Sequence, residues 1–355
     1  MAGKIKVSGA KKLIEKEVIP FTRQLASMTR AGMTIMGAIQ ALYEQCTNPE
    51  FKRILRHLLD TIERGSPLSM GMKDVPQLFN EMYVHMIEAA EQSGRFEDIC
   101  NRLALILQSG ARLRKKVKGA MTYPTVIVSL ALLIAAGLIQ FVVPIFAEMF
   151  AGFGKELPFL TQKLVDISNF GKQWWYVIIP SFIALVWLFK KWKSTESGHL
   201  VFDEWMLRLP VFGPLNHKSA ISRFCRVFAQ MLGAGVPVLN AMKVVAGSIG
   251  NRRLEMSVRA ARREVEQGNQ ISPSLGNKPY MPALMVRMIA AGEKAGKVED
   301  MLDSVADSYD EEVEALLNTL TSLMEPFLMV FLGAIIGTIV MAMFMPIFNM
   351  GSLAS

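Results

Sequence analysis

The chain has 355 residues, 51% of them hydrophobic, with a formal net charge of +8 and three cysteines. The cysteines, Cys46, Cys100 and Cys225, are odd in number and widely spaced, which excludes a disulfide framework and a zinc site. The basic excess gathers beside apolar windows, so it reads as a membrane-orientation signal and not as a nucleic-acid footprint.

Residues 1–19 form a polar, lysine-rich lead-in without the pattern of a signal peptide. Helical periodicity begins at Phe21, and residues 20–120 are expected to form a first cytoplasmic helical bundle. Within it, Asn48-Pro49-Glu50 has a capping side chain, a first-turn proline and a first-turn acid, which together start a helix. Gly65 is placed to end that helix. Arg112, Arg114, Lys115, Lys116 and Lys118 then precede a window free of charge from Pro124 to Ala147. Roughly 20 apolar residues cross a bilayer core, so residues 121–148 are expected to span the membrane. Residues 149–172 read as a periplasmic loop, and residues 173–193 as a second span. Aromatic residues stand at both ends of that span, Trp174 and Tyr176 against Trp187 and Trp192, and Lys190, Lys191 and Lys193 follow its charge-free window, residues 173–189. A linker and a second cytoplasmic bundle occupy residues 194–324, a third span residues 325–348, and a short periplasmic C-terminus residues 349–355. By the positive-inside rule the N-terminus is cytoplasmic. The expected fold is an all-α membrane protein with two duplicated helical bundles and three transmembrane helices.

The duplication is read from register. Gly94/Gly296, Glu97/Glu299, Asp98/Asp300, Pro124/Pro326 and Pro144/Pro346 all keep an offset of 202 residues. Phe21/Phe224, Arg23/Arg226, Ala26/Ala229 and Gly32/Gly235 keep an offset of 203, as do Asn48/Asn251 and Gly65/Gly268. In each half Gly94 or Gly296 supplies a left-handed turn residue, and the following acids favour the N-terminus of a long last helix. Glu91 and Glu293 are expected to reach back to the amides of that turn. Pro124, Pro144, Pro326 and Pro346 are expected to hinge the long helices, since proline removes a backbone donor and crowds the preceding turn.

No enzymatic constellation emerges. Gly292-Glu-Lys-Ala-Gly296-Lys297 misses the spacing and the hydroxyl of a phosphate loop, and the turn acids are fewer than the six oxygens calcium takes. His57, His85, His199 and His217 share no ligand spacing, and the windows 124–147, 173–189 and 326–348 of the three spans hold no acid, base or histidine, against transport, channel and protease chemistry. No cofactor is implied. Association features remain. Gly333 and Gly337 form a small-xxx-small motif in the third span, matched by Ala131 and Ala135 in the first. Asp300, Asp303, Asp307, Asp310, Glu311 and Glu314 share one face of the last helix, and Arg252, Arg259 and Arg263 share a face of another. Both faces are candidate partner surfaces, with a solvated face as the bland alternative.

The doubled Glu-x-x-Gly-x-x-Glu-Asp turn, Tyr123-Pro124 leading to Val142-Val-Pro-Ile-Phe146, Leu209-Pro-Val-Phe-Gly-Pro-Leu215, and Glu325-Pro326 leading to Pro346-Ile-Phe348 resemble the type II secretion F family. The resemblance implies a non-enzymatic platform in the bacterial inner membrane, serving type IV pilus assembly or type II secretion. It implies as partners a cytoplasmic hexameric assembly ATPase, pilin or pseudopilin subunits, other inner-membrane assembly proteins and further copies of the chain. A membrane receptor or signalling adaptor that docks cytosolic partners through its bundles is the alternative reading.

Overall fold

The computed structural model describes residues 5, 7, 9–145, 148, 159–210 and 212–351, and among these every regular element is helical. A lead-in of one α-turn, Ala10–Leu13, and one π-turn, Ile14–Val18, comes first. It is not loose. Val18 is fully buried, Ile5 donates its N–H to the carbonyl of Asp74 at 2.8 Å, and Val7 donates to Gln77 Oε1 at 2.7 Å.

Helices α1 (Ile19–Arg30), α2 (Ile35–Gln45), α3 (Pro49–Glu63), α4 (Leu68–Lys73), α5 (Glu81–Ser93) and α6 (Phe96–Gly137) follow. After α7 (Phe159–Lys193) and α8 (Glu196–Arg208), a second series runs through α9 (Phe212–Gly233), α10 (Val238–Ser248) and α11 (Arg252–Glu266). It ends with α12 (Ile271–Gly276), α13 (Ala283–Ala295) and α14 (Val298–Gly351). The bounds of α2 to α4 recur in α10 to α12 at an offset of 203, and those of α5 in α13 at 202.

The same local chemistry sets these boundaries. Asn48 Oδ1 accepts the N–H groups of Glu50 and Phe51 at 3.0 and 3.2 Å; Asn251 Oδ1 accepts those of Arg253 and Leu254 at the same distances. Each side chain thus satisfies amides that have no partner inside the helix. Beyond the far ends of α3 and α11, Gly65 and Gly268 sit at φ +75° and +95°, where a Cβ would be strained.

The chain divides into two compact units. Unit one comprises Met1–Lys115 and Asp203–Glu314. A single hydrophobic cluster runs through it, taking Phe21, Leu58 and Met86 from the first series and Phe228, Val258 and Ile289 from the second. Each of these side chains is at most 2% exposed, so each contributes about 1.5–3 kcal/mol by leaving water.

Unit two comprises Lys116–Phe202 and Ala315–Ser355. Among the described residues two helices, Phe96–Ile145 and Val298–Ala342, are long and apolar enough to cross a membrane. A third candidate is bent: Phe159–Trp174 and Ile179–Lys193 meet at 79°. Pro180 lies just past this break; it has no N–H to give the turn before it, and its ring crowds the carbonyl four residues back. The second span expected over 173–193 contains this break. The stretch read as a loop, 149–172, is helical from Phe159 onward, and residues 149–158 lie outside the described ones. Thr161, Leu164 and Ser168, three and four residues apart, are buried, and the Thr161 hydroxyl donates to the carbonyl of Ala342 at 2.5 Å. Ser168 donates to Gln140 Oε1 at 3.4 Å, which gives the amide in the first span its partner. A π-turn, Leu138–Val142, precedes Pro144 and takes up the register shift that proline forces on the helical ladder.

Candidate functional site

The turns read as the signature of each half are built on α5 and α13. Gly94 ends α5 at φ +69° and Gly296 ends α13 at φ +66°. Glu97 and Asp98 fall in the first turn of α6, and Glu299 and Asp300 in that of α14, where carboxylates meet the positive end of the helix dipole. Glu97 also pairs with Arg30 at 2.6 Å, and Asp98 with Arg95 at 2.6 Å.

Glu91 and Glu293 do not serve these turns, as the sequence had suggested. Each reaches back 21 to 23 residues to the start of a short helix. Glu91 accepts the N–H of Leu68 at 2.5 Å, the N–H of Ser69 at 3.4 Å and the Ser69 hydroxyl at 2.6 Å. Glu293 accepts the N–H of Ile271 at 2.6 Å, the N–H of Ser272 at 3.0 Å and the Ser272 hydroxyl at 2.5 Å. The reason lies in α4 and α12. Their N-caps, Pro67 and Gln270, offer no capping side chain, so the exposed amides take a carboxylate from another helix. The serines at 69 and 272, repeated at the 203 offset, were the sequence signal for this clamp.

The middle of the acidic stripe of α14 meets Arg226, while Asp300, Asp307, Glu311 and Glu314 stay exposed. Arg226 of α9, with only 17% of its side chain exposed, contacts Asp303 at 3.3 Å, Asp307 at 2.6 Å and Asp310 at 2.9 Å. Gln230 donates to Asp303 at 2.8 Å and Ser222 to Asp310 at 2.5 Å. Burial works to lower the Arg226 pKa, but the hydrogen bonds and charges of Asp307 and Asp310 outweigh it and hold the guanidinium above its usual value. Asp303 is thus half-buried and engaged within the bundle, whereas Asp307 pairs with Arg226 yet stays exposed, as does Glu311. On α11, Arg252 and Arg259 both pair with Glu255, at 2.7 and 2.6 Å, and Arg263 is exposed.

In unit two, Ala131 and Ala135 line an apolar groove of about 180 Å³ with Leu332 and Ile336 of α14. Gly333 and Gly337 do not pack there: a Cβ on either would meet nothing within 4 Å. Pro124 and Pro326 lie inside α6 and α14 without ending them, Pro144 follows the π-turn, and Pro346 lies near the end of α14. Among the described residues no group of three or more His, Cys, Asp or Glu side chains is placed to hold a metal ion.

Against known proteins, the family described as "Type II secretion system (T2SS), protein F" matches this chain twice, over residues 21–144 and 224–346. The type IV pilus assembly protein PilC of Pseudomonas aeruginosa is 34% identical over 348 residues, covering 98% of this chain and 93% of that one. PilC of Myxococcus xanthus is 37% identical over 303 residues, covering 85% and 73%. The type II secretion system protein F of Vibrio cholerae is 31% identical over 281 residues, covering 79% and 69%. With both matched segments falling on the two helical series, the chain belongs to the type II secretion system protein F family.

Proposed function

We propose that this protein is the inner-membrane platform of a type IV pilus or type II secretion machine, working with its other assembly components. The observation that carries this reading is the double family match, residues 21–144 and 224–346, each ending in a long apolar helix. In this reading the two series are copies of one helical bundle, both cytoplasmic, and the chain crosses the membrane three times with its C-terminus in the periplasm. The basic residues from Arg112 to Lys118 and from Lys190 to Lys193 support that orientation.

The platform has no chemistry of its own and works by transmitting movement. A hexameric assembly ATPase on the cytoplasmic side displaces a bundle, and the helix that leaves it carries the displacement to a pilin or pseudopilin subunit in the bilayer. Pro124 and Pro326, placed inside α6 and α14, are the hinges of that motion, because a helix missing one backbone bond bends there most easily. Deleting the protein should abolish surface pili or secretion, and the wild-type chain should restore them. Pro326→Ala should insert and fold normally yet restore little assembly; full assembly by this variant would remove the hinge from the account.

A further inference from the structure

Unit one holds a half-open cavity of about 540 Å³, within the range of sites that hold a nucleotide-sized ligand. Its wall takes Arg114 from α6, Ser219, Arg223 and Arg226 from α9, Gly247 from α10 and Arg259 from α11. Three carboxylates also line it: Glu15, Glu81 and Asp310. Two of the four arginines are spent, Arg226 on the three aspartates of α14 and Arg259 on Glu255. Asp310 in turn is held by Arg226 and Ser222, and Glu15 and Glu81 are exposed.

The other two arginines differ. Among the described residues neither Arg114 nor Arg223 has a carboxylate partner. Arg223 gives one N–H to the carbonyl of Ile249 at 3.2 Å, which leaves the rest of its planar donor set unspent. The loop beyond α10 is shaped around it. Gly250 adopts φ +82°, and a Cβ there would come within 2.7 Å of Arg223 Nη1, so only glycine satisfies both the backbone and the guanidinium. Burial, and then the like charge of Arg114, push the Arg223 pKa below its usual value. With the wall carboxylates either engaged or exposed, the like charges of Arg114 and Arg223 oppose one another, and an anion between them would offset that cost. The bidentate geometry of guanidinium matches phosphate.

We propose that this cavity binds a phosphate-bearing organic anion, clamped by Arg223 and Arg114 with the Ser219 hydroxyl at its wall. Two sources share this chemistry: a soluble nucleotide, and the headgroup of an anionic phospholipid. Arg114 belongs to the basic run that leads into the first apolar window, so a lipid headgroup is within the same reasoning.

The test uses the full chain in nanodiscs of phosphatidylcholine. One arm adds ADP to the solution and the other places phosphatidylglycerol in the disc; each reads ligand-induced thermal stabilisation and binding affinity. Arg223→Met keeps the apolar stem but removes the charge. Arg114→Gln changes an exposed position, and Gly247→Leu fills space where an added Cβ meets nothing within 4 Å. At least one probe should stabilise the wild type, with affinity reduced about tenfold or more in the arginine variants and in Gly247→Leu, as expected for losing a charge-assisted hydrogen bond or the space itself. Response to ADP alone identifies a soluble ligand, and response to phosphatidylglycerol alone a lipid. No stabilisation by either probe at millimolar ligand, or equal affinity in wild type, Arg114→Gln and Gly247→Leu, would overturn the proposal.

Discussion

The two helical series keep the same turns but seal their last helices differently. In the second series, Arg226 locks α9 to α14 through Asp303, Asp307 and Asp310. At matching positions the first series has Arg23, which is exposed, and Asn101, Leu105 and Gln108, with Leu105 58% exposed. The buried hydroxyl pair of Thr22 and Tyr83, 2.8 Å apart, is matched by Cys225 and Met285, both fully buried. The Asn48/Asn251 caps, the glutamate clamps and the glycine turns stay fixed, although Thr34 and Asn80, which cap α2 and α5, give way to Pro237 and Pro282; what covers these helix faces changes as well. A shared cap or clamp serves the same amides in both series, while a face needs only to suit its neighbour.

That contrast can be broken in order of expected effect. Removing a clamp, by Glu91→Ala or Glu293→Ala, strips three hydrogen bonds to a carboxylate and should cost about 3 kcal/mol in either half, read by chemical denaturation in detergent. A large loss in one half only would show the clamps are not equivalent. Arg226→Ala leaves half-buried aspartates uncompensated and should cost about 2 kcal/mol, reduced from the fully buried case because Asp307 is 69% exposed. Arg23→Ala, at the matching exposed position, should stay within about 0.5 kcal/mol. Equal costs would erase the distinction between the two faces. Gly94→Ala and Gly296→Ala force a side chain into the left-handed region and should each cost about 1 kcal/mol, by the same denaturation.

Features that depend on near neighbours were legible in the sequence. The caps at Asn48 and Asn251 act two and three residues ahead, and the glycines at 65, 94, 268 and 296 act through their own φ. The clamp was half legible: the glutamates stood out, but their target was misread because Leu68 and Ile271 come close only through folding. Likewise the acidic stripe reads as a partner surface or a solvated face, and its pairing with Arg226 was not legible because nothing local tells that this residue, some 80 positions earlier, lies against it. The start of α7 was taken for a loop because Lys163, Asp166 and Lys172 interrupt its apolar pattern, although Thr161, Leu164 and Ser168 keep helical spacing on its buried side.

The central claim is that both helical series form one body on the cytoplasmic side of the inner membrane. Unit one supports this by gathering residues from both. The direct measurement is thiol labelling in intact cells, with Cys46, Cys100 and Cys225 replaced and single cysteines introduced at the matching turns, Ser66→Cys and Asn269→Cys. A membrane-impermeant maleimide should label neither site until the inner membrane is permeabilised, and then label both. Labelling of one site and not the other in unpermeabilised inner membranes would contradict the account.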